Sequence, residues 1–167
     1  MRPKPNVVVG IDNGISGGLC AISGHDGSYI ESIPMPVSED DGKTEVRISG
    51  VLAWLEPFRH SLAVCIEEPL KHAKSSQAMR SMSISFGKIL GACEAKNYSI
   101  YRIQVKEWQD VELGKKLPKG QTKVIALSKA QTHWPKEGWL ATLRSRVPHD
   151  GMVDAALIAR FFQQHRL

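Results

Sequence analysis

The chain has 167 residues, which at the usual size of roughly 100–200 residues per domain is one domain spanning 1–167. Apolar residues make up 42 % of it, enough for a real core and too many for global disorder. The formal net charge is +5 and unevenly placed: residues 71–123 hold eleven Lys or Arg against four Asp or Glu, so the rest of the chain is net acidic. A basic middle beside a separate acidic centre points to an anionic partner such as nucleic acid.

Residues 7–12, VVVGID, are β-branched and apolar, end on a carboxylate and read as a buried strand. A Gly-rich turn, NGISGG, leads to a second strand over 18–23. His25-Asp26-Gly27 signals another turn, with a strand returning over 28–33, so the chain opens as an antiparallel three-strand meander. Residues 34–44 carry prolines, acids and Gly42 and are expected to be a loop. Val46, Val51, Leu52 and Leu55 fit a helix over 44–58, weakened by Gly50.

Residues 61–67, SLAVCIE, form the next core strand, again ending on a carboxylate and stopped by Pro69. After a polar loop, a helix is expected over about 77–96, where Met79, Met82, Phe86, Ile89, Leu90 and Cys93 recur at three- and four-residue spacing. A third core strand covers 98–105, and 109–120 reads as a basic loop. Helices follow over 122–133 and about 150–164, separated by an irregular stretch at 136–148. A meander followed by alternating helix and strand means a mixed α/β sheet.

Cys20, Cys65 and Cys93 are odd in number, lack CxxC spacing and sit in apolar runs. They read as buried reduced thiols, not as a zinc site. No signal-like segment and no run of about 18 apolar residues is present, so the expectation is a soluble cytoplasmic or organelle-stromal protein with no membrane partner.

Four carboxylates stand out by position. Asp12 and Glu67 each end a core strand, and Asp150 and Asp154 lie four apart at the start of the last helix, on one face. Val147-Pro148 disfavours helix just before them, which makes Asp150 a candidate N-cap. Clustered carboxylates repel one another unless some are protonated or a cation sits among them. Hard oxygen ligands suit Mg²⁺ or Mn²⁺, and a pair of such ions can clamp both reacting oxygens of a phosphodiester. Any one of these acids has a plain reading as turn residue, cap or solvated position; the combination is far more specific.

At this point the sequence resembles a known family. GIDNGISGGLCAI resembles the first-strand motif of the RuvC-like Holliday junction resolvases, VCIEEP their second motif and HDGMVDAALIARF their C-terminal helix. SMSISFGKILGACEAKNYSIYRIQVKEWQ is similar to the middle of the phage- and plastid-type branch, so the likeness runs over about 7–162. It implies a ribonuclease H-like fold: a five-stranded mixed sheet, antiparallel then parallel, flanked by helices. It further implies a homodimer that binds a four-way DNA junction and nicks two strands symmetrically, chemistry for which the acidic cluster is expected to bind Mg²⁺, two ions per site, or Mn²⁺. The family's catalytic and metal-binding acids carry over onto Asp12, Glu67, Asp150 and Asp154, with Glu68 pointing the other way by strand alternation. The family's junction-centre Phe corresponds to Leu70, and the gap of four between the last two acids follows the phage and plastid branch.

Lys71, Lys74, Lys106, Lys115, Lys116, Lys119 and Lys123 are candidate phosphate contacts, against the plain reading of a solvated basic face. His149 adjoins Asp150 as a capping or phosphate-contact group ahead of a ligand or proton-transfer one, and Trp108 and Trp134 read as core. Ser16 and Gly17 fit either a phosphate approach or a plain hairpin connection. Three other functions compete. The same acids suit an enzyme acting on an RNA/DNA hybrid or other branched DNA. The fold also suits a non-catalytic DNA-binding module. DxGxxGG opens the phosphate loop of sugar-kinase and actin-like proteins too, but those need a second phosphate motif and about twice this length, so no nucleotide cofactor is expected.

Overall fold

The computed structural model describes residues 4–69 and 75–167. Leu70, Lys71 and Lys74 lie outside the described residues. β1 (Val7–Asp12), β2 (Gly18–Ser23) and β3 (Tyr29–Pro34) form the expected antiparallel meander. A short hairpin follows, β4 (Val37–Asp40) and β5 (Lys43–Val46), then α1 (Ile48–Leu55) and a 3-10 segment, Glu56–Ser61. Next come β6 (Leu62–Glu67), α2 (Ser76–Ala95), β7 (Ser99–Ile103), α3 (Val105–Glu112), α4 (Thr122–His133) and α5 (Asp150–His165). The five-stranded sheet runs β3-β2-β1-β6-β7, with β1, β6 and β7 parallel.

Four expectations need correcting. The segment 34–44 is not a plain loop: Asp41 and Gly42 turn with positive φ, and four residue pairs close a hairpin across them. The helix expected from 44 therefore starts only at Ile48, because 43–46 is committed to that hairpin. The basic stretch expected as loop from 109 is helical to Glu112, because Trp108 and Leu113 bury against the core and fix its path. The strand expected over 98–105 is Ser99–Ile103, with α3 beginning at Val105.

Strand alternation divides the core in two. Val8, Cys20, Ile22, Ala63 and Cys65 face α5 and the tryptophans of α3 and its neighbours. Val9, Ile11, Leu19, Ala21, Val64 and Ile66 face the other way, onto α1 and Ile89 and Cys93 of α2. α5 is buried on almost every side, with ten of its sixteen residues in the core. It lies directly on β1: a Cβ at Gly10 would stand 1.9 Å from the Ala155 carbonyl oxygen. Gly17 and Gly18, the last two glycines of NGISGG, serve the same packing. Gly17 bridges Gly151, and a Cβ on Gly151 would meet the Gly17 backbone at 2.4 Å.

Candidate active site

The period of two that sorts the core also aims the acids. Asp12 and Glu67 follow Gly10 and Cys65 on the sheet face that carries α5. Ile11 pairs with Ile66 in parallel register, so the two carboxylates end adjacent strands side by side. The glycine contacts seat the first turns of α5 against these strand ends. Asp150 stands at its first position and Asp154 one turn further in. The cap itself is His149, not Asp150: its Nδ1 accepts from Met152 N at 3.3 Å, and its own backbone N–H donates to Trp139 O at 2.7 Å.

A cleft of about 1240 Å³ opens over this corner. Asp12, Asp150 and Asp154 line it with Lys123 and His149, and β5 and the first half of α2 form its far wall. Glu67 lies beneath, 8 % exposed, and accepts a 2.6 Å hydrogen bond at Oε2 from Trp108 Nε1. Asn13, also buried, donates from Nδ2 to Met82 O at 2.9 Å and so ties the end of β1 to α2; its Oδ1 has no partner.

The acids act on one another. Asp12 titrates well above the usual carboxylate range because it is buried, and the charges of Glu67, Asp154 and Asp150 push the same way while Lys123 opposes them. Burial, then Glu67 and Asp150, lifts Asp154 to about 7, again opposed by Lys123. Burial raises Glu67, and the Trp108 hydrogen bond pulls it back. Lys123 bridges Asp150 and is itself raised, chiefly by that hydrogen bond.

As placed, no three His, Cys, Asp or Glu side chains among the described residues converge tightly enough to hold an ion. The donor set nevertheless fits one. It consists of hard oxygens that repel each other, Lys123 already lies on one of them, and the buried Oδ1 acceptor of Asn13, next to Asp12 in the cleft lining, stands unpaired.

Of the lysines singled out from sequence, Lys123 lines the cleft, whereas Lys106, Lys115, Lys116 and Lys119 are exposed and do not. The other cations that line it are Arg80, Lys88 and Lys43, with Lys88 held by Glu45 at 2.6 Å. Sequence reading missed them because they come from α2 and from a hairpin it took for loop. It also missed that Trp108, correctly read as core, touches Glu67; an indole N–H needs an acceptor when buried, and that was the available signal.

No family model and no curated protein matches the sequence. Solved structures do. The RuvC of Thermus thermophilus in complex with a Holliday junction substrate superposes with a TM-score of 0.61 at 19 % identity, covering 93 % of this chain and 91 % of that one. A further T. thermophilus RuvC structure gives 0.58 at 18 %, covering 95 % of each chain. The yeast mitochondrial Holliday junction resolvase Ydc2 gives 0.52 at 18 %, covering 98 % of this chain and 80 % of that one. The mixed five-stranded sheet is thus the ribonuclease H-like fold of RuvC.

Proposed function

We propose that the chain is a structure-selective endodeoxyribonuclease that resolves four-way DNA junctions by paired, metal-dependent nicks. One observation carries the reading: in a fold shared with RuvC, carboxylates from β1, β6 and α5 meet at one corner, where burial and then neighbouring acid charges raise Asp12 and Asp154. Asp12, Glu67, Asp150 and Asp154 are the catalytic set and would hold one or two Mg²⁺ ions, with Mn²⁺ as substitute. When bound, such ions supply an activated water and stabilise the leaving oxygen.

The chain's own groups do the rest. Trp108 fixes one oxygen of Glu67 and leaves Oε1 for the corner. Lys123 offsets charge at Asp150, and Arg80 and Lys43 on the cleft wall hold DNA phosphates. Lys106, Lys115, Lys116 and Lys119 extend the phosphate contact beyond the cleft; Lys71 and Lys74 are proposed as further phosphate contacts, and Leu70 as the residue for the junction centre.

Paired nicks call for two sites related by two-fold symmetry. α2 suits such a homodimer. Only Ser85, Ile89 and Cys93 are buried along its twenty residues, Ile84 is 45 % exposed, and a Cβ at Gly87 or Gly91 would meet nothing within 4 Å. Those glycines therefore do not serve packing on the helix's own sheet. Three buried free cysteines suit work in a reducing cytoplasm or organelle stroma, and no nucleotide cofactor enters the reaction.

The test is a comparison of substrates. In Mg²⁺ or Mn²⁺ the protein should nick a synthetic four-way junction symmetrically, leave linear duplex largely intact and lose activity in EDTA. Preferential cleavage of an RNA/DNA hybrid would replace the junction reading with a ribonuclease one, and binding without any cleavage would favour a non-catalytic module.

A further inference from the structure

Residues 140–147, between α4 and the first turn of α5, are built as a projecting finger. Its base is closed twice: Leu140 and Pro148 form an antiparallel bridge, and His149 N donates to Trp139 O. Trp139, which starts it, is buried and adopts a positive φ of 56°, a costly conformation for a bulky residue that only a well-determined surrounding sustains. The tip is a pinned turn. Ser145 N donates to Thr142 O at 3.0 Å, Thr142 N donates to Ser145 Oγ at 3.2 Å, and the two hydroxyls meet at 3.0 Å.

This turn holds Leu143 fully in solvent, with Val147 75 % exposed behind it. A single exposed apolar side chain is ordinary, but here a closed turn fixes Leu143 in solvent directly ahead of two exposed arginines. Arg144 and Arg146 are exposed beside Leu143, neither is in an ion pair among the described residues, and 138–149 contains no Asp or Glu. The finger runs directly into Pro148, His149 and Asp150 on the cleft wall.

We infer that this finger reads the branch of the DNA: Leu143 enters between unstacked bases while Arg144 and Arg146 hold the flanking phosphates. The inference rests on the nuclease reading above. Apolar wedges of this kind, leucine among them, insert at steps where stacking is already weak, which is the condition at a branch and not along a duplex. Arginine supplies the phosphate contacts with planar, always charged donors. The occupant is DNA because the cations and the continuity with the acidic corner both point there; a protein partner needs neither.

The experiment measures binding in Ca²⁺ to a four-way junction and to linear duplex, with 2-aminopurine at the crossover reporting unstacking. Leu143→Ala should weaken junction binding about fivefold to tenfold, within the range for losing one base contact, and lose the fluorescence rise. Its duplex binding should stay unchanged. Leu143→Phe should keep both signals. Arg144→Ala with Arg146→Ala should weaken both DNAs and lower the slope of log affinity against log salt by about two. If the wild type prefers the junction and Leu143→Ala binds and unstacks it equally well, the finger inference fails alone. If Leu143→Ala alters the sedimenting mass and not the DNA signals, the finger is a protein contact and the inference is wrong. A wild type without junction preference sinks the resolvase reading and the finger's role with it.

Discussion

Replacing Gly10 by Ala adds one methyl group to β1, two residues before Asp12 and remote in sequence from the other three acids, and should disable the site. The new Cβ would stand 1.9 Å from Ala155 O and 2.7 Å from Ala159 N. Ordinary contact begins at 3.4 Å, and both neighbours are backbone, so no side chain can rotate out of the way. α5 must retreat by about 1.5 Å, and Asp154, one residue before Ala155, retreats with it. Overpacking of this kind costs about 1–3 kcal/mol. A misplacement of about 1 Å at the reacting groups costs about 100-fold in rate. Denaturant unfolding reads the first effect and single-turnover nicking per folded molecule the second. Gly24→Ala is the control, because its Cβ would also approach a backbone oxygen at 1.9 Å, that of Pro5, away from the acids. It should lose stability without a comparable loss of rate. A Gly10→Ala protein that nicks at the wild-type rate, or a Gly24→Ala protein that loses as much, refutes the idea that the α5–β1 contact sets the site.

Trp108→Phe should bind Mn²⁺ about 10–100-fold more weakly by calorimetry, since it frees the carboxylate that the indole orients. Trp134→Phe, which loses a hydrogen bond to Gly27 O instead, should bind the ion as wild type does; equal losses in both would reduce Trp108 to a packing role. Asp154 in the folded protein titrates near 7, above its unfolded value of about 3.9, so the folded state holds the extra proton between those values. Stability of the metal-free protein should therefore fall as pH rises from about 4 through 7, by up to about 4 kcal/mol from this group, and Asp154→Asn should flatten the fall. Added Mg²⁺ should restore stability at pH 8; a pH-independent melting temperature would show that burial and its acidic neighbours do not raise Asp154. Ile84→Asp should sediment as an 18.5 kDa monomer that nicks one strand at a time, and a variant that stays dimeric would move the interface off α2.

Much of this arrangement can be read from the chain because its signals are local. Val7–Asp12 and Leu62–Glu67 are buried runs with a carboxylate at the end, and period-two alternation then aims both acids at one face. Asp150 and Asp154 follow from helical spacing alone. The hairpin over 37–46 was not legible, because its strands are short and wholly exposed but for Val46, so no alternation marks them. The close seating of α5 was not legible either: a glycine in NGISGG reads equally well as turn chemistry or as room for another backbone, and only the partner Gly151 distinguishes them. The cap went to His149 because its ring nitrogen reaches Met152 N, while the carboxylate of Asp150 is engaged by Lys123. The bond from Trp108 to Glu67 spans 41 residues of chain, a separation at which residue spacing carries no information.

The most direct test of the acidic corner is to separate binding from cutting with Asp154→Asn on a four-way junction. The substitution keeps the shape of the side chain, removes one charge that crowds Asp12 and Glu67, and lessens repulsion of the DNA phosphates. The account predicts junction affinity equal to or tighter than wild type, with nicking in Mg²⁺ abolished. A variant that binds and nicks at near the wild-type rate would contradict it.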